Sequence, residues 1–137
     1  MGAEKVKQNH TGLILFAHGS SVEGANRSVK MLADEVRSNG PYEYVEAAFL
    51  EMAQPDLAAA VAHAAAAGLE RIIVVPYFLT MGVHLRDDLP RLVAAQKQRH
   101  PKLEISVAES LDGHPQMASL ILEMASLEWA KNELTPS

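Results

Sequence analysis

Six histidines and no cysteine set the terms for chemistry in this chain of 137 residues. Disulfides, thiolate catalysis and cysteine-ligated metals are excluded, so any metal is held by nitrogen and oxygen. Four groups suited to such work stand at comparable places. His18 follows the apolar run 13–17 and precedes Gly19-Ser20-Ser21, Glu51 follows the run 44–50, His84 follows 71–75 through PYFLTMGV, and His114 follows 103–108 through ESLDG. Two imidazoles with a carboxylate suit a first-row divalent ion such as Co²⁺, Fe²⁺, Ni²⁺ or Zn²⁺. So few protein ligands leave coordination positions open, which fits catalysis or transfer better than structural storage.

Each residue alone also has an ordinary structural role open to it. His18 suits a turn hydrogen-bonded to the backbone, Glu51 suits the cap of a helix beginning near Pro55, and His84 suits an exposed loop. His114 precedes a proline and a helix, so a role in that N-terminal turn outweighs ligation. His10, His63 and His100 fall in a leader, an alanine helix and a helix end, and are expected at the surface.

The elements that must position these groups alternate along the chain. Residues 13–17 form a continuous apolar strand, and Val29, Leu32, Ala33 and Val36 then fall at helical spacing from Ala25 until Asn39-Gly40-Pro41. A strand over 44–50 is followed by a helix from Pro55 to Ala67, with Gly68 in the position after its cap. The β-branched run IIVV in 71–75 is typical of a strand covered on both faces. A third helix is expected from near Arg86 to before Pro101, with Pro90 in its first turn or so. A fourth strand covers 103–108. Met117, Leu120, Ile121, Met124 and Ala125 then mark a last helix. Residues 1–11 read as a leader, 12–131 as one domain and 132–137 as a flexible tail.

Strands separated by helices pair in parallel through right-handed crossovers. The expected fold is a three-layer α/β/α domain: a four-stranded parallel sheet with helices on both faces, like half of a flavodoxin-like fold. In such sheets ligands bind outside the carboxyl ends of the strands, where strand order reverses. With the order 2-1-3-4, His18 and His84 would share one crevice. Four strands make a small sheet, which points to a partner, most simply a second copy.

The composition, 48% apolar and 21% charged, is that of an ordinary globular protein, and the net charge of −5 argues against nucleic acid as a partner. No run is long and apolar enough for a membrane span, and MGAEKVKQNH lacks the apolar core of a signal peptide, so a cytoplasmic location is expected. Gly19-Ser20-Ser21 leading into a helix is a rival phosphate or flavin cradle. The specific nucleotide and nucleophile-elbow fingerprints are missing.

AHGSS with Glu23-Gly24-Ala25-Asn26, AAFLEMAQPDL and VVPYFLTMGVHLRDDLP together resemble the class II tetrapyrrole chelatases, in particular the small single-domain sirohydrochlorin cobaltochelatase type. The likeness runs from Leu13 to about Met124, and the VPYFLTMGVHLRDDLP segment is its most specific part. It implies that His18 and His84 hold the metal and that Glu51 occupies an acidic active-site position. It implies a chelatase fold, a homodimer, and insertion of a divalent metal (Co²⁺, with Fe²⁺ or Ni²⁺ as alternatives) into sirohydrochlorin in cobalamin or sirohaem biosynthesis. Many relatives carry arginine after HGS where this chain has Ser21. Ser20, Ser21, Arg27 and Arg86 are therefore the candidates for holding the substrate's carboxylates.

Insertion requires the macrocycle to lose two pyrrole protons, for which Glu51 or one of the histidines is the base. Ligation needs neutral imidazole, so activity is expected to fall as pH drops through the histidine range. No nucleotide or organic cofactor is called for. A non-catalytic metal-delivery protein and a flavodoxin-like phosphate or flavin module are the alternative functions.

Overall fold

The computed structural model describes residues 8–134. Strand β1 (Gln8–Ala17) leads to helix α1 (Glu23–Asn39), β2 (Tyr42–Phe49), α2 (Leu57–Ala66), β3 (Arg71–Pro76), α3 (Val83–Arg99), β4 (Glu104–Val107) and α4 (Pro115–Leu134). The four strands form one parallel sheet in the order β2-β1-β3-β4. β1 and β3 are therefore neighbours, and every strand ends at the same edge.

Period-two alternation divides the core between the two faces. Ile14 and Phe16 of β1, Ile72 and Val74 of β3, and Ile105 of β4 are buried with Leu57, Ala60, Val61 and Ala64 of α2 and Leu89 and Val93 of α3. On the other face Leu15, Ala17, Val45, Ala47 and Phe49 are buried with Ala33 of α1, and Val29, Leu32 and Val36 pack around them. The helical spacing in 25–36 is thus the stripe that α1 lays on β1 and β2.

Local signals set most of the ends. The α1 ladder closes where the Gly40 N–H donates to the Val36 carbonyl at 2.9 Å. The Asp56 carboxylate caps α2 by accepting from the Ala59 N–H at 2.8 Å. Gly68 just beyond that helix has φ 84°, the left-handed conformation glycine adopts freely.

Most boundaries fall within two residues of those expected, and three differ by more. β1 begins at Gln8, because the polar residues before Leu13 still make ladder bonds: Gln8 pairs with Tyr42, Thr11 pairs with Arg71, and the Glu70 N–H donates to the His10 carbonyl. Of the segment read as a leader, residues 8–11 are thus strand and 1–7 lie outside the described residues. Helix α3 starts at Val83 and not near Arg86, leaving Pro90 inside it. The first turn closes with the Arg86 N–H on the Gly82 carbonyl at 3.0 Å, and Leu85 packs against the core, which holds this turn in place ahead of the proline. Helix α4 runs to Leu134, into the segment read as a tail, of which 135–137 lie outside the described residues.

Candidate metal and tetrapyrrole site

The carboxyl ends of β1 and β2 do not diverge into separate loops. The Leu50 N–H donates to the Ala17 carbonyl at 2.9 Å and the Glu51 N–H to the His18 carbonyl at 3.1 Å, so the ladder continues one step past both strands. That extension carries the His18 and Glu51 side chains together, with His18 Nε2 3.2 Å from Glu51 Oε2. Both side chains are more than half exposed, at 60% and 56%. Solvent screening leaves the pair little stabilising value.

Gly19 explains why the motif is histidine-glycine-serine. Its φ is 94°, and a Cβ built there would lie 1.8 Å from the Glu51 carbonyl oxygen. No side chain fits where the two main chains touch. Met52, directly after Glu51, also takes a left-handed conformation with φ 66°, unusual for a residue with a Cβ.

The other half of the turn is held from α1. Asn26, 2% exposed, accepts from the Ser20 N–H through Oδ1 at 2.9 Å and donates from Nδ2 to the Ser20 carbonyl at 2.8 Å. The Ser20 hydroxyl oxygen accepts from the Val22 N–H at 3.0 Å. Asn26 escaped the sequence reading as a positioning residue. Its signal was available: it stands one turn before Val29 on the apolar stripe of α1, where a polar side chain needs a local partner.

The remaining candidates are distributed around the same edge. His84 is exposed in the first turn of α3. Among the described residues no group of three or more His, Asp or Glu is arranged to hold a metal, so His84 does not join His18 and Glu51 in a preformed ligand set. Ser21 and Arg27 are exposed beside the β1 turn. Arg86 lines a cavity of about 590 Å³ with Met81, Leu89, Val93, Lys97 and Val107, at the carboxyl ends of β3 and β4. That cavity includes neither His18 nor Glu51. The β3 loop is anchored at its start by Phe78, packed edge-on against Phe16 with ring centroids 6.0 Å apart.

His114 takes the helix-start role expected of it: its Nδ1 accepts from the Gln116 N–H at 3.1 Å. His63 is exposed but not solitary, since its Nδ1 lies 3.1 and 3.2 Å from the two oxygens of Glu46, which also accepts from the Tyr44 hydroxyl at 3.0 Å. Burial, the neighbouring Glu46 carboxylate and that hydrogen bond together push the Tyr44 phenol above its ordinary range.

An imidazole and a carboxylate at bonding distance, open to solvent, can share one divalent ion or pass one proton between them. Known proteins narrow the choice. The CbiX family model matches residues 12–126. The chain belongs to the CbiX family. Its four-stranded three-layer fold is the one seen in solved CbiX and chelatase structures. A CbiX protein of Marinobacter aquaeolei, named for cobalamin (vitamin B12) biosynthesis, superposes with a TM-score of 0.80 at 30% identity, covering 88% of this chain and 98% of that one. The sirohydrochlorin chelatase SirB of Bacillus subtilis, solved with cobalt, shares the fold at TM-score 0.68 and 24% identity, covering 73% of this chain and 43% of SirB. The sirohydrochlorin cobaltochelatase of Methanopyrus kandleri is 35% identical over 86 residues, 63% of this CbiX chain and 60% of the archaeal protein. That of Methanocaldococcus jannaschii is 35% identical over 88 residues, 64% and 62% of the two chains. The chain thus aligns with somewhat under two thirds of the length of these curated relatives.

Proposed function

We propose that this CbiX protein is a sirohydrochlorin chelatase, inserting a divalent metal into the macrocycle with Co²⁺ as its principal ion and Fe²⁺ or Ni²⁺ as alternatives. The observation that carries the reading is the His18–Glu51 pair at the shared carboxyl edge of β1 and β2, in a chain whose relatives are named for this reaction. His18 is the first ligand, holding the incoming ion while exchangeable ligands remain on it. His84 is the second ligand, supplied from the start of α3. Glu51 is the proton acceptor: as the metal enters, two pyrrole N–H protons leave, and a carboxylate already within reach of an imidazole can take them in turn and release them to solvent. Arg27 and Arg86, with Ser20 and Ser21, are assigned to the substrate's carboxylates, which a chain of net charge −5 must meet with local cations. No nucleotide or organic cofactor enters the reaction. The working form in this reading is a cytoplasmic homodimer. Among the described residues no helix is long and apolar enough to cross a membrane.

An anaerobic absorbance time course of sirohydrochlorin with Co²⁺, and separately with Fe²⁺, tests the proposal. A protein-dependent spectral shift that His18→Ala abolishes is expected, and the ratio of the two rates ranks the ions. Protein that binds Co²⁺ but accelerates neither reaction would replace the chelatase reading with metal delivery.

A further inference from the structure

Each of the three groups assigned to the chemistry has an exposed apolar neighbour. Val22 stands four residues after His18 and is 65% exposed, Met52 directly follows Glu51 at 67%, and Val83 directly precedes His84 at 71%. Single apolar side chains on a surface are ordinary. Met52 differs because its backbone is unfavourable as well: among the described residues it alone of the non-glycines has a positive φ, 66°.

The loop around it shows how that conformation is held. The Phe49 N–H donates to the Pro55 carbonyl at 2.9 Å, and Phe49 pairs with Asp56 as an isolated bridge, so residues 50–55 close on themselves. Leu50 packs against the core on the α2 and α3 face of the sheet, and Ala53 against the core on the α1 face. Both sides of the tip are thereby anchored, and Glu51 and Met52 are the pair left exposed between them. A glycine would make the same reversal without the left-handed penalty, and a polar residue would be better hydrated. The fold therefore supplies no reason for a large apolar side chain here. Conformations of this kind cluster where a site needs the residue in place.

An exposed thioether beside a proton acceptor is suited to a flat, conjugated ligand. Methionine is unbranched and polarisable, and it adapts to the face or edge of a π-system. A metal enters a macrocycle through a face of the ring, so the groups that hold the ion and take the pyrrole protons must look onto that face. Apolar side chains next to those groups then meet the same face. We propose that Met52 is a substrate-contact residue, its side chain lying against the macrocycle and setting the distance between the pyrrole nitrogens and Glu51. Val22 and Val83 extend the apolar seat beside His18 and His84. The inference rests on the chelatase reading above and adds the residue that fixes how the ring sits over the base.

Three substitutions test it. Met52→Gly removes the side chain and the backbone penalty together, so Tm should not fall. KM for sirohydrochlorin should rise about 10-fold, the size expected when most of a methionine side chain is no longer buried by the ligand. Co²⁺ affinity by calorimetry should not follow it. Met52→Gln, similar in length but polar, should raise KM comparably, whereas Met52→Leu, apolar and of similar volume, should stay within about threefold of the wild type. An unchanged KM in Met52→Gly and Met52→Gln would overturn the contact. A Tm lower by about 5 °C or more in Met52→Gly would also overturn it, making the side chain structural, and a loss of Co²⁺ affinity would make the thioether a ligand instead. Absorbance titration of sirohydrochlorin without metal separates this failure from that of the chelatase reading. Wild-type protein that binds the macrocycle with Met52-dependent affinity but inserts no ion keeps the contact and removes the chelatase. Wild-type protein that inserts the ion, with Met52→Gly and Met52→Gln binding the macrocycle as tightly, keeps the chelatase and removes the contact. A wild type that does not bind sirohydrochlorin removes both.

Discussion

Replacing Gly19 by alanine tests the geometry that joins the β1 and β2 turns. Two effects combine there. A Cβ on a residue at φ 94° meets the left-handed penalty, about 1–2 kcal/mol. The same Cβ would start 1.8 Å from the Glu51 carbonyl oxygen and must retreat beyond 3.0 Å, below which such contacts essentially never occur. A separation of more than 1 Å breaks the bond from the Glu51 N–H to the His18 carbonyl, now 3.1 Å, at about 1 kcal/mol, with comparable strain in the turn. The sum is about 3–4 kcal/mol, which for a chain of this size lowers Tm by roughly 10–15 °C.

Gly68→Ala is the matched control, because Gly68 has φ 84° but nothing within 4 Å of where a Cβ would stand. It should lose only the conformational component, about 1–2 kcal/mol. Thermal melts followed by circular dichroism at one protein concentration compare the two, since association would otherwise shift Tm. Gly19→Ala should also lose about 100-fold or more in insertion rate, as expected for a misplacement on the scale of 1 Å. If Gly19→Ala melts no lower than Gly68→Ala, the two turns are not in contact as described and the account of the motif fails.

Asn26→Ala leaves the Ser20 N–H and carbonyl without their partner and should cost about 2–3 kcal/mol, with weaker Co²⁺ binding; an unchanged melt and titration would show that Asn26 does not hold the turn. Glu51→Gln should slow insertion about 100-fold or more while changing Co²⁺ affinity far less, and the opposite pattern in rate and calorimetric affinity would make Glu51 a ligand and not the base. His84→Ala should abolish insertion with the fold intact by circular dichroism, and a wild-type rate would remove it from the mechanism. Tyr44 keeps its proton in the folded chain at pH values where the unfolded chain loses it. Its contribution is therefore whole below the ordinary phenol range, about pH 10, and is lost as pH rises above it. Denaturant melts at about pH 9 and about pH 11 should show a smaller alkaline loss in Tyr44→Phe than in the wild type, and equal losses would count against the Tyr44–Glu46 contact.

Much of the architecture was legible because burial writes itself as periodicity. The runs around Phe16, Val74 and Ile105 and the stripe through Val29 and Ala33 placed the strands and α1, and the strand order followed the expected 2-1-3-4. The carboxyl-edge rule placed His18 and Glu51 at one edge, where the structure finds them in contact. Apart from Asn26, what escaped has one physical origin: main-chain hydrogen bonding leaves no trace in side-chain type. The polar start of β1 at Gln8, the early turn of α3 ahead of Pro90 and the ladder step joining His18 to Glu51 are all of this kind. Glu51 was weighed as a helix cap, but Asp56 fills that role five residues later. The periodicity of α4 announced a helix with an apolar side, yet the pattern does not show that the helix leaves Leu120, Ile121, Met124 and Leu127 exposed.

The contact between Gly19 and the Glu51 carbonyl also bears on how such a protein can diversify. Two turns in main-chain contact tolerate neither insertion nor deletion without losing each other, so their lengths are coupled. The segments after β3 and β4 are tied to the sheet at their first residues, where the Tyr77 N–H donates to the Phe16 carbonyl at 2.7 Å and the Ala108 N–H to the Val74 carbonyl at 2.9 Å, but further on Leu79 is 69% exposed, and Gly82 and Gly113 have open space around them. Changes in loop length should therefore accumulate there. The half of the edge that carries His18 and Glu51 is stiff, and the half facing the Arg86 cavity is free to be rebuilt.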